Sequence, residues 1–293
     1  MIPYTRKTLP NGLTVVVNRD RASKLAAVNI LYRVGARNEN PARTGFAHLF
    51  EHLMFRGTRA VENFDLPVQM ASGDNNAFTN NDYTDFYITL PKDNLETALW
   101  LESDRMEGLD ITPTKLEAEK KVVIEEFRQR YLNQPYGDQT MLLRALAYKV
   151  HPYRWAAIGL ATEHIAGATL ADVESFYRAH YRPSNATLSI SADMEEERML
   201  ELAEKWFAPL ADYPSATAAI PQEPVQTQAR RQEVERDVPA STVTVAYHMC
   251  ARTKPDFYTA DLVSDLLSGG DSGRLYTHLV KERNLLSSVN AYI

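Results

Sequence analysis

The sequence of this 293-residue chain predicts an α+β fold in which helices cover a largely antiparallel sheet. Segments 13–17 and 83–90 have the β-branched or alternating patterns that are typical of strands. Segments 93–108 and 113–132 carry the strong helix formers and apolar stripes of helices that pack on one face. A hydrophobic content of 44% allows the chain to bury a sizeable core and predicts more than one domain.

The remaining elements follow from local sequence, in chain order. A hairpin over 6–18 turns at Pro10, Asn11 and Gly12, and a second strand covers 26–34. Pro91 stops the alternating strand over 83–90. After the two long helices, the chain is predicted to form helices at about 138–149 and 169–180, a strand at 186–190 and a helix at 195–207.

Composition and charge disfavour several classes of protein. The net charge is −6 and the basic residues are scattered, so nothing favours nucleic acid as a partner. No apolar run has transmembrane length, and the first residues lack the apolar core of a signal peptide. The single Cys250 excludes an intrachain disulfide and leaves the redox compartment open.

Residues 44–58 are predicted to form a buried helix, because the segment is apolar and contains no proline. Thr44 is suited to cap the start of this helix, and Gly57 is suited to end it. At 3.6 residues per turn, one side of the helix carries His48, Glu51 and His52. Two imidazoles and one carboxylate therefore share a face.

Two histidines four residues apart on a helix can bind one divalent ion, because their ring nitrogens converge, and Zn(II) accepts nitrogen and oxygen ligands. Glu51, beside the second histidine, suits a base better than a ligand. The order His-x-x-Glu-His inverts the His-Glu-x-x-His motif of metalloproteases. The alternative is a helix with two surface histidines, which the apolar flanks disfavour because unpaired polar groups would be costly there.

A catalytic zinc site takes a third protein ligand and keeps one position for water. The helix predicted over 113–132 carries Glu119 and Glu126, which are seven residues apart and so point the same way. Glu125 is a rival by adjacency, although it lies about 100° round the helix from Glu126. An ordinary polar role is predicted for three further histidines in loops or at helix ends: His151, His164 and His180.

With these motifs in this order, the chain resembles the pitrilysin (M16) family of zinc metallopeptidases, in particular bacterial members similar to the mitochondrial processing peptidase. The resemblance implies one Zn(II) per chain, bound by His48, His52 and Glu126. It also implies that Glu51 is the catalytic base and that Glu119 is a carboxylate that orients the site. The 73 residues between His52 and Glu126 are slightly fewer than the family has, which implies a trimmed loop.

Residues 72–79 resemble the family segment that runs from a glycine into Asn-Ala-aromatic-Thr. In the family this is the edge strand beside the metal, where the substrate backbone adds as an extra strand. Such backbone pairing binds a peptide largely regardless of its side chains. The resemblance makes Asn76 and Ala77 candidate substrate-binding residues, whereas composition alone is more typical of a turn.

A shift to Pro, Ala, Thr, Gln and Ser predicts a linker over 209–232, between a metal-bearing domain at 1–208 and the start of a second domain at 233–293. A weak echo of 32–37 at 247–252, each predicted as a strand end before a helix, suggests an internal repeat. The two segments are 215 residues apart. At that offset, the residues that correspond to His48, Glu51 and His52 are apolar: Val263, Leu266 and Leu267.

The family is built from duplicated α+β domains of which only the first binds zinc. By the repeat logic the second domain is expected to be incomplete, stopping inside a strand at Ile293. Family members that act alone carry an arginine and a tyrosine in this domain, which bind the substrate near the scissile bond. Here Val280 and Ser287 occupy those positions and cannot stabilise an oxyanion, so Lys281 or Arg283 is the alternative source of charge within the chain.

The resemblance therefore implies a zinc-dependent endopeptidase acting on peptides or unfolded polypeptides. We predict the zinc-bearing subunit of a heterodimer whose inactive paralogue supplies the Arg and Tyr side chains, with a homodimer as the alternative assembly. The competing class is a non-catalytic peptide-binding or scaffold subunit with structural zinc, which an intact Glu51 disfavours. Both the bacterial periplasm, after removal of a signal, and the cytoplasm fit the sequence.

Overall fold

The computed structural model describes residues 2–213 and 219–293 and divides the chain into two compact units. The first unit covers Met1–Ser241 and the second Thr242–Ile293. The architecture is α+β, as the sequence predicts. Within the described ranges, every helix is too short or too polar to span a lipid bilayer.

One six-stranded sheet organises the first unit. Its strands are β1 (Thr5–Thr8), β2 (Thr14–Arg19), β3 (Leu25–Tyr32), β4 (Asp74–Thr79), β5 (Thr84–Pro91) and β6 (Ala186–Ala192). The order across the sheet is β1-β2-β6-β3-β5-β4. Neighbouring strands are antiparallel except β2 and β6, which are parallel, so the expectation of a largely antiparallel sheet is confirmed.

The described residues form nine α-helices. These are α1 (Phe46–Leu53), α2 (Asp65–Met70), α3 (Leu95–Glu107), α4 (Pro113–Phe127), α5 (Gln139–Ala147), α6 (Thr162–Ala166), α7 (Leu170–His180), α8 (Glu196–Phe207) and α9 (Asp256–Ser268). α2 and α6 are not predicted from the sequence, because helices of one to two turns show too little periodicity. Immediately after α4, the chain forms a π-helical turn, Arg128–Leu132.

The core lies between the sheet and its helices. Burial alternates along β3 and β6, because successive side chains of a strand point to opposite faces. The inward residues of these strands, such as Val28, Ile30 and Leu188, are completely buried. They belong to the same apolar cluster as the buried residues of α1, which fixes that helix on the sheet.

The described part of the predicted linker is bound to the rest of the first unit. The Glu223 carboxylate accepts hydrogen bonds of 2.7–2.9 Å from the backbone N–H groups of residues 149–151. Slight burial raises the pKa of Glu223, but these three donors outweigh it and lower the pKa to about 2. Arg230 donates to two carbonyl oxygens at the end of α5. The composition of the predicted linker indicates that it lacks helices and strands, but it does not indicate the hydrogen bonds of Glu223 and Arg230.

The second unit contains α9 and a π-helical segment, Tyr276–Glu282. No strand forms among its described residues, so the strands predicted near Tyr247 and at Ile293 are wrong. A strand requires neighbouring backbone with which to pair, and a β-type residue pattern alone does not supply it. The apolar positions Val263 and Leu266 lie on α9, where each side chain is about half exposed.

Candidate metal centre

Two helices bring the predicted metal ligands together. α1 carries His48 and His52, whose ring centroids are 4.8 Å apart. α4 carries Glu126, whose Oε1 lies 3.6 Å from His48 Nε2 and whose Oε2 lies 3.3 Å from His52 Nε2. One donor atom from each residue lies within 4.8 Å of the others. No other group of three or more His, Cys, Asp or Glu side chains meets this condition among the described residues.

The packing of α1 against the core determines where the imidazoles of His48 and His52 point. The side of the helix that faces the core is fully buried, which leaves His48 8% exposed and His52 partly exposed. α1 ends four residues before Gly57, so the helix is shorter than the sequence analysis expected. The residues that anchor it are Leu49, Phe50 and Leu53.

Glu39, which the sequence analysis did not single out, holds the start of α1. Its buried carboxylate accepts hydrogen bonds of 2.9 Å from the backbone N–H groups of Gly45 and Ala47. A third hydrogen bond, of 3.1 Å, comes from Trp155 Nε1. Burial raises the pKa of Glu39 to about 8, and the three donors oppose that rise. A carboxylate in the loop before α1 therefore supplies the acceptors that the first turn of the helix needs.

The prediction that Thr44 caps α1 is wrong. The N-cap residue is Gly45, which has a φ of 92° and no side chain to offer. A Cβ at Gly45 would lie 2.7 Å from the Ile158 carbonyl oxygen, so both the backbone angle and the available space require glycine. Thr44 instead contacts His164, whose Nδ1 lies 3.1 Å from the Thr44 N–H and 2.8 Å from its hydroxyl.

Replacing Glu39 by alanine is expected to destabilise the first unit. Two backbone N–H groups would remain buried without acceptors, at a cost of about 1–3 kcal/mol each. Urea unfolding followed by tryptophan fluorescence measures the free energy of unfolding. Glu39→Gln keeps an acceptor oxygen and should lose less. Glu163→Ala, at an exposed position, should change the value by less than about 0.5 kcal/mol. Equal stability of Glu39→Ala and Glu163→Ala would contradict the capping role.

Glu119 lies beside the second imidazole. Its side chain is 1% exposed, and its Oε2 lies 3.5 Å from His52 Nδ1. Arg56 Nη2 forms an ion pair with the other oxygen, Oε1, at 2.6 Å. Oε2 has no hydrogen-bond partner in the described part of the chain, since 3.5 Å is an ion-pair separation. A carboxylate in this position can accept a hydrogen bond from the Nδ1–H of His52, which fixes the tautomer whose Nε2 lone pair is free to bind a metal.

Glu51 lies next to the metal ligands without being one of them. Its buried Oε2 has no hydrogen-bond partner among the residues that the structure describes. Burial raises the pKa of Glu51, although the Thr79 hydroxyl and the charge of His52 lower it. Glu51 also lines a cavity of about 560 Å³, together with His52, Phe55 and Glu119. A raised pKa beside an accessible space suits a general base.

The pKa values of the two histidines move in opposite directions. Burial lowers the pKa of His48 to about 4; the charges of His52 and Arg130 add to this, and Glu126 opposes it. Burial also lowers the pKa of His52, but the carboxylates of Glu119 and Glu126 outweigh it and raise the pKa to about 9. Burial raises the pKa of Glu126, yet the neighbouring imidazoles and Arg130 outweigh it, so the pKa is lowered. An ionised Glu126 between two imidazoles is a donor set that zinc accepts.

Glu125, the rival ligand, faces away from the two histidines. Its carboxylate lies 3.6 Å from Arg128 Nη1, and both of these side chains are about half exposed. A rotation of about 100° per residue separates the directions of adjacent helical side chains. Glu126, rather than Glu125, therefore meets the imidazoles of α1.

Two arginines at the site were not singled out from the sequence. Arg56 pairs with Glu119, and Arg130 Nη2 lies 3.1 Å from Glu126 Oε1. Helical spacing was an available signal for one of them, because Arg130 follows Glu126 by four residues. Arg56 follows the end of α1, so only the packing of α1 against α4 brings it to its partner.

Asn76 and Ala77, the predicted substrate-binding residues, lie on β4. This strand pairs with β5 and has no other neighbour in the described sheet. Alternation along β4 leaves the Asn76 side chain exposed and packs Ala77 against the core, on the opposite face. The outer edge of β4 offers backbone groups to an added strand. The substrate-binding role of the two residues stays a prediction.

An α+β layer fold with an inverted His-x-x-Glu-His helix and a distant glutamate defines the class of inverted-motif zinc peptidases. Residues 14–156 match the family described as insulinase (peptidase family M16), and residues 167–293 match the peptidase M16 inactive domain. The chain belongs to the M16 family of zinc proteases. The first match contains all the residues of the candidate metal centre.

Individual proteins that are similar to this chain are named as proteases or processing peptidases. The chain is 34% identical over 286 residues to the zinc protease PqqE of Helicobacter pylori, covering 96% of this chain and 64% of that protein. It is 26% identical to a probable mitochondrial-processing peptidase subunit beta of Arabidopsis thaliana, covering 87% of this chain and 48% of the relative. A crystal structure of a protease from Helicobacter pylori superposes with a TM-score of 0.90 at 31% identity, covering 99% of this chain and 71% of the other.

Proposed function

We propose that this chain is the zinc-binding part of an endopeptidase that hydrolyses peptides or unfolded polypeptides. The observation that carries the proposal is the convergence of His48, His52 and Glu126 beside a carboxylate oxygen of Glu51 that has no hydrogen-bond partner among the described residues. A purely structural metal site would have no use for that carboxylate. Family membership supports the same function, because the relatives are named as a zinc protease and a processing peptidase subunit.

The residues of the site fit zinc. Two imidazole nitrogens and one carboxylate oxygen are three protein ligands, the number typical of catalytic rather than closed structural zinc sites. The buried Oε2 of Glu119, 3.5 Å from His52 Nδ1, fits the outer carboxylate that orients a ligating histidine. When bound, zinc would polarise the scissile carbonyl and make a water molecule a stronger nucleophile at neutral pH.

The side chains around the ligands would divide the remaining tasks. Glu51 Oε2 can take the proton of the attacking water and deliver it to the nitrogen of the leaving amine. Burial raises the pKa of Glu51 above its ordinary value, which favours its holding and passing on that proton. The outer edge of β4, at Asn76 and Ala77, would bind the substrate backbone as an added strand. Arg56 would keep the Glu119 carboxylate in place through their ion pair, and Glu119 would in turn orient the ring of His52.

A second polypeptide would complete this site. Val280 and Ser287 carry neither a cation nor a phenol, and Lys281 Nζ donates to the Asp271 carbonyl within the second unit. We propose that an M16 paralogue supplies the arginine and tyrosine that stabilise the oxyanion. The Arabidopsis relative, named as a subunit of a processing peptidase, supports an assembly of more than one chain.

The test is peptide hydrolysis by this chain with and without its Arg- and Tyr-bearing paralogue. Short unstructured peptides serve as substrates, mass spectrometry detects the cleavage products, and bound zinc is measured in the same samples. We expect turnover only in the mixture. Equal rates in both samples would contradict the heterodimer. Zinc binding without turnover in either sample would contradict the peptidase and favour a non-catalytic peptide-binding subunit.

A further inference from the structure

Arg130 lies in the π-helical turn after α4 and contacts the carboxylate of Glu126. Its Nη2 is 3.1 Å from Glu126 Oε1, the same oxygen that lies 3.6 Å from His48 Nε2. The other oxygen, Oε2, lies 3.3 Å from His52 Nε2. The two oxygens of one carboxylate therefore have different surroundings: Oε1 lies next to the guanidinium and His48, and Oε2 lies next to His52.

Orientation matters for this carboxylate because its terminal torsion is soft. The last side-chain torsion of glutamate has a broad, roughly two-fold profile, so the carboxylate group rotates easily. An ion pair with a guanidinium nitrogen 3.1 Å from one oxygen restricts that rotation, and the other oxygen stays directed towards its own partner. Polar partners that orient ligating side chains contribute to metal affinity in zinc proteins.

We infer that Arg130 is a positioning residue, which orients the carboxylate of Glu126 so that it is a preformed third ligand for zinc. The inference rests on the proposed function, because it requires Glu126 to bind the metal. The π-helical turn is consistent with this role, since such turns occur frequently at functional sites.

The same helix end provides a matched comparison. Arg128 pairs with Glu125 at 3.6 Å, and both side chains face solvent. Arg130 is also exposed, at 66%, but its partner Glu126 is only 18% exposed and stands between the two imidazoles. Two arginine–glutamate pairs of similar chemistry thus differ in whether the glutamate contacts the histidines of α1.

A nearby cation could also compete with zinc for the carboxylate. Competition predicts tighter zinc binding when Arg130 is removed, whereas positioning predicts weaker binding. The 3.1 Å contact of the arginine is with Oε1, whereas Oε2 lies 3.3 Å from His52 Nε2 and is placed to bind the metal. We therefore expect the effect of orientation to exceed that of competition.

The experiment measures zinc affinity, by competition with a chromophoric chelator, for the wild-type chain and three variants. Arg130→Met should weaken zinc binding about tenfold, at the low end of the usual range because the guanidinium is exposed. Arg130→Lys retains the charge without the planar fork and should lose less. Arg128→Met should bind zinc as the wild type does. Circular dichroism spectra check that each variant is folded.

Unchanged or tighter zinc binding by a folded Arg130→Met chain would overturn the positioning role. Equal losses in Arg130→Met and Arg128→Met would overturn it too, because both would then reflect a general weakening of the helix end. A wild-type chain that binds no zinc would overturn the proposed function itself. The affinity measurement needs neither substrate nor partner, so these failures can be told apart.

Discussion

Replacing Glu51 by glutamine is expected to reduce peptide hydrolysis by about 10²–10⁴-fold and to leave bound zinc at its wild-type level. Glutamine has nearly the same shape as glutamate but cannot accept the proton of the attacking water. Because burial raises the pKa of Glu51, the fold already disfavours its charged form. Loss of that charge should therefore not destabilise the protein.

The measurement compares kcat/KM and zinc content of Glu51→Gln with those of the wild type, under the conditions in which the wild type is active. Glu197→Gln makes the same chemical change at an exposed position of α8 and should retain full activity. Substantial turnover by Glu51→Gln would show that another group is the base. Loss of zinc by this variant would show instead that Glu51 supports the metal site.

Replacing Glu126 by alanine is expected to weaken zinc binding by more than about 100-fold, since loss of a ligand should exceed the 10–100-fold cost of losing an outer partner. Two histidines alone do not complete a zinc site. The matched control is Glu125→Ala on the same helix, at the carboxylate that pairs with Arg128. That variant should bind zinc normally.

Zinc content after dialysis, together with chelator competition, tests this pair of variants. Both substitutions remove one carboxylate from neighbouring positions, so a non-specific effect of charge or helix stability would affect them alike. If Glu125→Ala loses the metal and Glu126→Ala keeps it, the third ligand is Glu125. If neither loses it, α4 does not supply the third ligand.

Local pattern predicted most elements of the first unit with small shifts at their ends. The hairpin, the strand before Pro91 and the helix that begins at Pro113 all depend on turn residues, alternation or capping within a few positions. The same approach failed in the second unit, where strands were predicted and none forms among the described residues. A β-type pattern indicates that a segment can pair, and pairing depends on a partner elsewhere.

Contacts around α1 show where local reasoning about the site fails. Thr44 was a reasonable cap because capping residues usually stand at the helix start. The acceptors come instead from Glu39, through a loop conformation that sequence does not reveal. Arg56, which follows α1, likewise forms its ion pair with a residue of a different helix, Glu119 of α4. Such pairs lie on separate elements, and their distance is set by how those elements pack.

The sequence by itself determined that His48, Glu51 and His52 share one face of a helix, because 3.6 residues per turn fixes the relative direction of side chains within a helix. The family resemblance implied Glu126 as the third ligand, and only the tertiary structure brings Glu126, rather than Glu125, next to the two imidazoles. That choice depends on the rotation of α4 against α1. The packing of both helices over the sheet sets this rotation, and no local pattern encodes it.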